Sequence, residues 1–595
     1  MQVHDRIRTL ADILPVRARV SPRKIALREL GDGGRLIGTS FAELGRQVDA
    51  FAARLAESGA GPERTVSLLM PNSRRWVVAY YAVFRLGAVA VPLEYDMLGD
   101  RPDLIRYALD QADARIVVCE PDDARRVRPV AGAGREIVPA QDAGKDSAET
   151  KPPRQPPLKP DDLAQILYTS GTTGPKKGVE LTHGNIIFNV RQSCARLGVA
   201  RNDCLPALLP YHHAYPLTAT VVLPLYAGAR MVVGDIKDRR SRELLQKCRP
   251  TIFVGVPRVF EAILQSIRAT AARTGRSRRL AKALGLSALA KNLTGVNIGK
   301  VLFRRLHREL LGGTQLRFCV SGGARIATGL LRDYFLMGIP IVQGWGMSEL
   351  SPVGAAQYFW PVRFYFTRHY ERKAGSIGTP LDGTDIALVQ SARESLSLDV
   401  RERGEMVIRG AHVMRGYHKD PQRTAQQMTA GGLRSGDIVR RDQDGDLYVV
   451  GRVKHVIVLA SGKKVFPEDD LDEELSRCAT IEEFAVRPIA DEGGAEQIGI
   501  VVRPNPDALK ERGVRTLADL YGAVKQDMDA ALRHKPDYMR RYDFCLTAWT
   551  GDGFAELVKS ALGEPCPLKN LFTPETSYSR MKASTEGLPW QAGNA

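Results

Sequence analysis

The twenty residues from Ile166 to Asn185, ILYTSGTTGPKKGVELTHGN, carry the densest set of groups able to hold an anion. Ser, Thr and Gly crowd the stretch from Thr169 to Pro175, and Lys176 and Lys177 follow. Glycine lets a backbone turn tightly and approach a ligand, hydroxyls add donors for phosphate oxygens, and the lysines supply the charge that a triphosphate requires. The apolar run before the loop reads as a strand and the run from Asn185 to Arg191 as a helix, so the loop is expected to join the two. The alternative is a solvated Gly/Ser/Thr turn with lysines for solubility. No Walker A pattern and no early dinucleotide GxGxxG fingerprint is present, so any phosphate loop here is of another design.

A second cluster lies at Ile341 to Pro352, IVQGWGMSELSP. Trp345 offers a flat aromatic face for a base, and Glu349, after Ser348, offers a hard oxygen ligand for Mg²⁺ beside a triphosphate. In LPALLPYHHA, ending at Ala214, His212 and His213 are adjacent and cannot both enter one strand face. One is expected to pack and the other to meet solvent, with His213 a candidate for the border of a carboxylate or acyl entrance. Asp437, after a glycine in an expected turn, can accept from ribose hydroxyls, and Arg452 follows a strand at 446 to 450. A surface Asp and Arg is the plain alternative for that pair.

The elements that must position these groups alternate between helix and strand. Ser40 to Glu57 has Phe41, Leu44, Val48, Phe51 and Leu55 at helical spacing. A strand at Thr65 to Met70, a helix at Trp76 to Arg85, a strand at Gly87 to Pro92, a helix at Asp103 to Gln111 and a strand at Ala114 to Val118 follow. Short apolar strands between helices predict a buried parallel or mixed sheet covered by helices. His4, Trp76, Tyr80 and Tyr81 read as packing residues. The tract 134 to 160, ending KPPRQPPLKP, is expected to be an exposed connector, since proline fixes φ and removes donors. Residues 259 to 312 read as long basic amphipathic helices, suited to an outer layer, to covering an acyl tunnel, or to lying on anionic lipid. Residues 404 to 452 are strand-rich.

At 595 residues the chain exceeds one core. Its net charge of +18 resides partly in arginine clusters such as Arg125 to Arg128, without zinc spacing, RGG repeats or interleaved aromatics, so no nucleic-acid partner is expected. A cleft receiving anionic ligands gains from that potential. Eight dispersed cysteines with no CxxC are expected to be reduced packing residues in a cytoplasmic protein. No export signal and no run of 18 apolar residues appears, so any membrane association is expected to be peripheral.

Seven segments in order, YTSGTTGPKKG at 168 to 178, LLPYHHAYPLT at 208 to 218, VPRVFE at 256 to 261, SGGA at 321 to 324, QGWGMSE at 343 to 349, RSGD at 434 to 437 and GRVKHVI at 451 to 457, resemble the adenylate-forming (AMP-binding) superfamily. The resemblance covers about residues 25 to 545, and the long helical stretch before SGGA is similar to the long-chain fatty-acid CoA ligase branch. It implies an α/β fold with a large multi-sheet N-terminal adenylation domain, 1 to 453, and a small mobile α/β C-terminal domain, 454 to 595. It also implies ATP, Mg²⁺ and CoA as cofactors and co-substrates, and a medium- to long-chain fatty acid as the acid. Carrier-protein loading, or a weak or inactive acyl- or nucleotide-binding homologue, stands as the alternative.

By the same resemblance Thr169, Ser170, Gly171, Thr172, Thr173, Gly174 and Lys177 hold the β- and γ-phosphates. Trp345 packs on adenine, Gly322, Gly323 and Ala324 line the base pocket, and Gly346, Met347 and Ser348 lie beside the nucleotide. Glu349 binds Mg²⁺, Asp437 and Arg452 hold the ribose, His213 borders the carboxylate and acyl pocket, and Lys454 is the hinge. Apart from the resemblance, the basic helices at 259 to 312 leave open peripheral contact with the inner face of an anionic membrane, and a homodimer is a further expectation. The sequence departs from the family near its end: in ELVKSALGEPCPLKN, 556 to 570, Glu564 stands where the family's closing signature places a lysine, leaving Lys559 or Lys569 as substitutes.

Overall fold

The computed structural model describes residues 3–143, 153–169, 176–366, 369–389, 403–461, 463–490, 496–514 and 517–546. The chain divides into two compact units, one of Met1–Ala387, Met406–Ser435 and Arg441–Tyr448, the other of Leu388–Glu405, Gly436–Arg440 and Val449–Ala595. The second unit thus collects two segments from before residue 449, where the sequence had suggested one cut.

The first unit is organised by three sheets. The largest has seven strands in the order Gly416–Tyr417, Lys177–Thr182, Leu163–Thr169, Val89–Pro92, Thr65–Leu69, Ile116–Cys119 and Glu136–Pro139. Its middle is parallel, and Val89–Pro92 and Ile116–Cys119 are buried at every position, as strands covered on both faces must be. The second sheet runs Leu36–Ser40, Ile25–Leu30, Arg230–Val233, Cys204–Ala207. The third runs Ile252–Gly255, Phe318–Ser321, Ile341–Gly346, Val353–Ala356, Thr379–Pro380.

Helix Phe41–Glu57 forms where its periodicity placed it. Ser40 accepts from the Glu43 amide and Glu43 returns a bond to the Ser40 amide at 2.7 Å, closing a capping box. Its five expected apolar residues are all buried. Helix Arg74–Arg85 is capped by Ser73, which accepts from Trp76 N at 3.1 Å. Trp76, Tyr80 and Tyr81 are core residues, Trp76 stacking on Tyr80 with centroids 4.9 Å apart.

The proline-rich tract departs from the expected exposed connector. Its start, Glu136–Pro139, forms the edge strand of the seven-stranded sheet, a place that tolerates proline. Further on, Pro156 packs so closely over Gly87, whose φ is +69°, that a Cβ there would lie 2.7 Å from the proline ring. Helix Pro257–Arg273 buries Phe260, Leu264 and Ile267 in the core of the five-stranded sheet, together with Ile326, Leu331 and Ile341.

In the second unit, strands Ile481–Ala490, Glu496–Pro504 and Tyr542–Leu546 make one sheet. Helix Leu517–Leu532 covers it with Leu520, Val524, Met528 and Leu532. Cys119, Cys194, Cys204, Cys248, Cys319 and Cys478 are free thiols and all are buried.

Candidate active site

The phosphate-loop candidate sits at the tip of a β-hairpin. Strand Leu163–Thr169 is antiparallel to Lys177–Thr182, and Thr169 faces Lys177 in register. The expected strand-to-helix loop is therefore corrected. The helix, His183–Leu197, begins only after the second strand, under a capping box of Thr182 and Asn185. The first amides of that helix are already paired, His183 N with Asp162 O, Gly184 N with Pro160 O and Asn185 N with Thr182 Oγ1, and they lie beyond the loop. Ser170, Gly171, Thr172, Thr173 and Gly174 lie outside the described residues.

The two lysines diverge. Lys176 Nζ lies 3.5 Å from Glu94 and 3.0 Å from Met97 Sδ, whereas Lys177 Nζ stands 5.1 Å from the centre of the Tyr417 ring. Tyr417 in turn donates from its hydroxyl to Glu349 Oε1 at 2.7 Å. Glu349 is buried, and its carbonyl accepts from Met414 N at 2.8 Å. Burial and the adjacent carboxylate hold the Tyr417 phenol well above its usual range, so it remains a donor.

Lys177, Tyr417 and Glu349 thus form one line of contacts, of which Tyr417 escaped the sequence reading. Its signal is faint: MRGYHKD reads only as a short strand. Strand Gly416–Tyr417 pairs with Lys177–Thr182, and that pairing delivers the phenol to Glu349. Tyr417 occupies one Glu349 oxygen, leaving the other as a single hard ligand, which suits Mg²⁺ held by one carboxylate and substrate phosphates. Among the described residues no cluster of three or more His, Cys, Asp or Glu forms a closed metal cage.

Beside this line opens a cavity of about 390 Å³. It gathers His213, Gly322, Gly323, Trp345, Gly346, Met347 and Ser348 from the predicted set. Ala324 is exposed and does not line it. Much of the wall is aliphatic: Leu205, Leu223, Ile252, Val254, Val256 and Val342. Residues 259 to 312 contribute nothing to the wall, so the tunnel-cover option for those helices is not realised here.

Close approaches fix the aromatic walls. A Cβ on Gly322 would meet the Tyr215 ring at 3.0 Å, and one on Gly354 would meet the Trp345 ring at 2.9 Å. Tyr215 is anchored by its hydroxyl, which donates to the carbonyls of Val320 at 3.2 Å and Gly255 at 3.4 Å. Gly323 has φ +83°, a conformation that glycine takes without strain.

Arg196, another lining residue, is buried and donates to the carbonyls of Ala356 at 2.8 Å and Pro380 at 2.6 Å and to Thr379 Oγ1 at 2.8 Å. Its guanidinium also lies 3.9 Å from the centre of the Tyr358 ring. With so many bonds satisfied, Arg196 acts as a clamp closing the wall rather than a free cation.

The histidine pair divides as expected, His212 half-buried and His213 reached by solvent, with ring centroids 4.1 Å apart. Desolvation, His213 and nearby lysines push His212 down to about 3. His213 occupies a recess, its surface open but protein around most of the ring, and desolvation lowers its pKa with Lys176 in the same sense and Glu94 opposing. At neutral pH it is an uncharged hydrogen-bonding group at the cavity border.

Asp437, Arg452 and Lys454 fall in the second unit. Asp437 lies within strand Gly432–Arg441, which corrects the expected turn, and pairs with Arg452 Nε at 3.1 Å. Lys454 is exposed in the turn Val453–His455, where His455 Nδ1 meets Glu468 Oε1 at 2.7 Å. Glu564, Lys559 and Lys569 lie outside the described residues.

A model of the AMP-binding enzyme family matches residues 14–418. The chain belongs to that family. It is 30% identical over 490 residues to a feruloyl-CoA synthase of Amycolatopsis sp, covering 82% of this chain and 87% of that protein. A long-chain-fatty-acid–CoA ligase of Mycobacterium bovis is 28% identical over 527 residues, covering 82% and 81%. The fold is shared with o-succinylbenzoate CoA synthetase of Bacillus subtilis solved with its acyl-adenylate intermediate, at TM-score 0.68 and 20% identity over 90% of this chain and 94% of that one. ATP-bound MatB of Rhodopseudomonas palustris gives TM-score 0.69 at 21% identity over 90% and 95%. This AMP-binding enzyme is accordingly of the two-step type, forming an acyl-adenylate and then an acyl-CoA.

Proposed function

We propose that this AMP-binding enzyme activates a medium- to long-chain fatty acid. The carboxylate attacks the α-phosphorus of ATP, the bond to pyrophosphate breaks, and the CoA thiol then displaces AMP from the acyl carbon. The observation that carries the reading is the aliphatic cavity whose mouth is set by His213 and the run Trp345 to Ser348. The relatives named as fatty-acid and feruloyl-CoA ligases support the carboxylate and CoA parts of it.

In this reading the hairpin tip and Lys177 screen the triphosphate, and Glu349, steadied by Tyr417, supplies the carboxylate for Mg²⁺. That ion, when bound, neutralises charge on the phosphates as pyrophosphate departs. Neutral His213 donates a hydrogen bond to the acid without trapping it as an ion pair. The Asp437 and Arg452 pair holds the ribose, and Lys454 marks the hinge of a C-terminal domain beginning near it, whose movement admits the thiol.

A second reading, an aromatic acid, is favoured by Arg196, which closes one wall of the cavity and limits its reach. AMP release measured with palmitate, decanoate and ferulate, each with CoA and with holo-carrier protein, tests the assignment. Release with palmitate and CoA supports the proposal, and preference for ferulate supports the second reading. Carrier loading without CoA turnover, or no turnover with any acid, overturns both.

A further inference from the structure

The helix Ser277–Thr294 is apolar on two opposite faces, although only one of them is covered. Its inner face is anchored by Ser287, whose hydroxyl donates to Leu336 O at 2.7 Å, and by Leu284 and Ala288 against Phe335, Leu336 and Phe364. Half a turn away in projection lie Leu286, Leu289 and Leu293, 51%, 53% and 75% exposed. Their spacing of three and four residues puts them in one stripe along the outer side of the helix. A surface helix normally turns a single apolar stripe to the core; this one carries a second stripe that is bare.

More exposed apolar residues lie on segments next to the end of the helix. Asn297 N donates to Tyr365 O at 2.7 Å, joining the end of this helix to helix Pro361–Phe366, whose Val362 and Phe366 are 68% and 61% exposed. Val301, in the next short helix, is 79% exposed. Trp360 is half-exposed with the Arg363 guanidinium 4.0 Å from its ring centre, the amphipathic pairing that favours a water–lipid boundary. Bare apolar groups in such number on joined helices mark an interaction surface rather than scattered surface residues.

Charge identifies the partner. Between Glu261 and Glu309 the chain has eleven Lys and Arg and no Asp or Glu. By the 3.6-residue repeat, Arg278, Arg279 and Lys282 share the outer side with the leucines, and all three are exposed. A second copy would bring like charges together in a two-fold contact, at a cost that rises as the face is desolvated. Nucleic acid would leave the leucines without use. An anionic bilayer uses both, its headgroups attracting the cations and its acyl boundary taking the apolar stripe. No described helix is long and apolar enough to cross a membrane, so the contact is at the surface.

We propose that the outer face of helix Ser277–Thr294, with the adjoining Val301 and Pro361–Phe366 segments, docks this protein on an anionic lipid surface. The proposal stands on this face alone and is independent of the acid substrate assigned above. Cosedimentation of the full chain with phosphatidylcholine vesicles, with and without phosphatidylglycerol, tests it at several salt concentrations. Binding is expected only to the anionic vesicles. It should weaken about a hundredfold in the triple variant Arg278→Gln, Arg279→Gln, Lys282→Gln and by about tenfold or more in the triple variant Leu286→Gln, Leu289→Gln, Leu293→Gln. All six positions are exposed, and an unchanged thermal transition verifies folding. No binding by the wild-type chain overturns the proposal, and so does binding unaffected by the leucine variant, which would reveal net charge alone at work. A wild-type dimer that the leucine variant converts to monomer overturns it in favour of a second copy.

Discussion

Replacing Tyr417 by Phe removes a single oxygen and leaves the ring that faces Lys177 in place. The lost bond runs from a phenol to a buried carboxylate at 2.7 Å. Hydrogen bonds to charged groups contribute about 1.5–3 kcal/mol, and loss of an outer partner of a metal ligand commonly costs about 10–100-fold in metal affinity or activity. The two figures agree, since a tenfold change corresponds to about 1.4 kcal/mol. Acid-dependent ATP–pyrophosphate exchange titrated with Mg²⁺ is the assay. The expected result is a half-saturating Mg²⁺ concentration raised about 10–100-fold, with much of the maximal rate recovered at saturation. Glu349→Gln, which removes the charge itself, should not recover. A purely structural role for Tyr417 would lower the melting temperature and leave the Mg²⁺ titration unchanged, and that outcome would refute the assignment of Glu349 as the metal carboxylate steadied by Tyr417.

Gly354→Ala forces a methyl to within 2.9 Å of the Trp345 ring, so nucleotide affinity measured by calorimetry should fall by about 10–100-fold, from a strain of about 1–3 kcal/mol. Buried His183 and His412 are both pushed down to about 4 by desolvation, so they are neutral in the folded chain while an unfolded chain protonates near 6.5. Stability is therefore full above about pH 6.5 and is lost as pH falls towards about 4, by at most about 3 kcal/mol for each group. Melting curves across that window should show a smaller pH slope in His183→Gln, whatever its absolute stability. Because His213 also titrates below the ordinary imidazole range, the exchange rate should show no inflection near pH 6.5 attributable to it. Lys559→Ala and Lys569→Ala test whether either lysine substitutes for the family's closing lysine, at whose position Glu564 stands; unchanged exchange in both would remove both from the reaction.

What the sequence made legible was local. The capping box at Ser40 with its five apolar positions, the doubly buried strands and the aromatic helix at Arg74 to Arg85 are written in neighbouring residues, and the fold reproduces them. The run from Gly344 to Ser348 lines the cavity. Pairing was not legible. An apolar run before a glycine loop and a helical run after it look alike whether the loop enters the helix directly or first returns as a strand, and Lys177–Thr182 is only six residues long. Asp437 follows a glycine with φ +74°, which resembles a turn in the text, yet both lie inside a ten-residue strand. The cut between units follows long-range contacts that no local pattern records.

The same long-range pairing explains how chemistry is assembled from three distant segments. Tyr417 is in register with Val179 and Gly416 with Glu180, so the short strand holds its aromatic ring beside the first residues after the hairpin tip. Met414 N, three residues earlier, bonds Glu349 O, which ties the carboxylate-bearing turn to that strand by backbone as well as by side chain. His418 N donates to Gly178 O at 2.7 Å on the other side of Tyr417. The phenol is thus held between two backbone bonds, and its orientation does not depend on its contact with Lys177. Gly178 has little room to change, since a Cβ would stand 2.9 Å from Ile166 and 3.2 Å from His418 Cβ. A side chain at that glycine would push the hairpin and the Tyr417 strand apart. It would disturb the neighbouring lysine and the more distant carboxylate together, which separates the geometric requirement of the site from the identity of its charged residues.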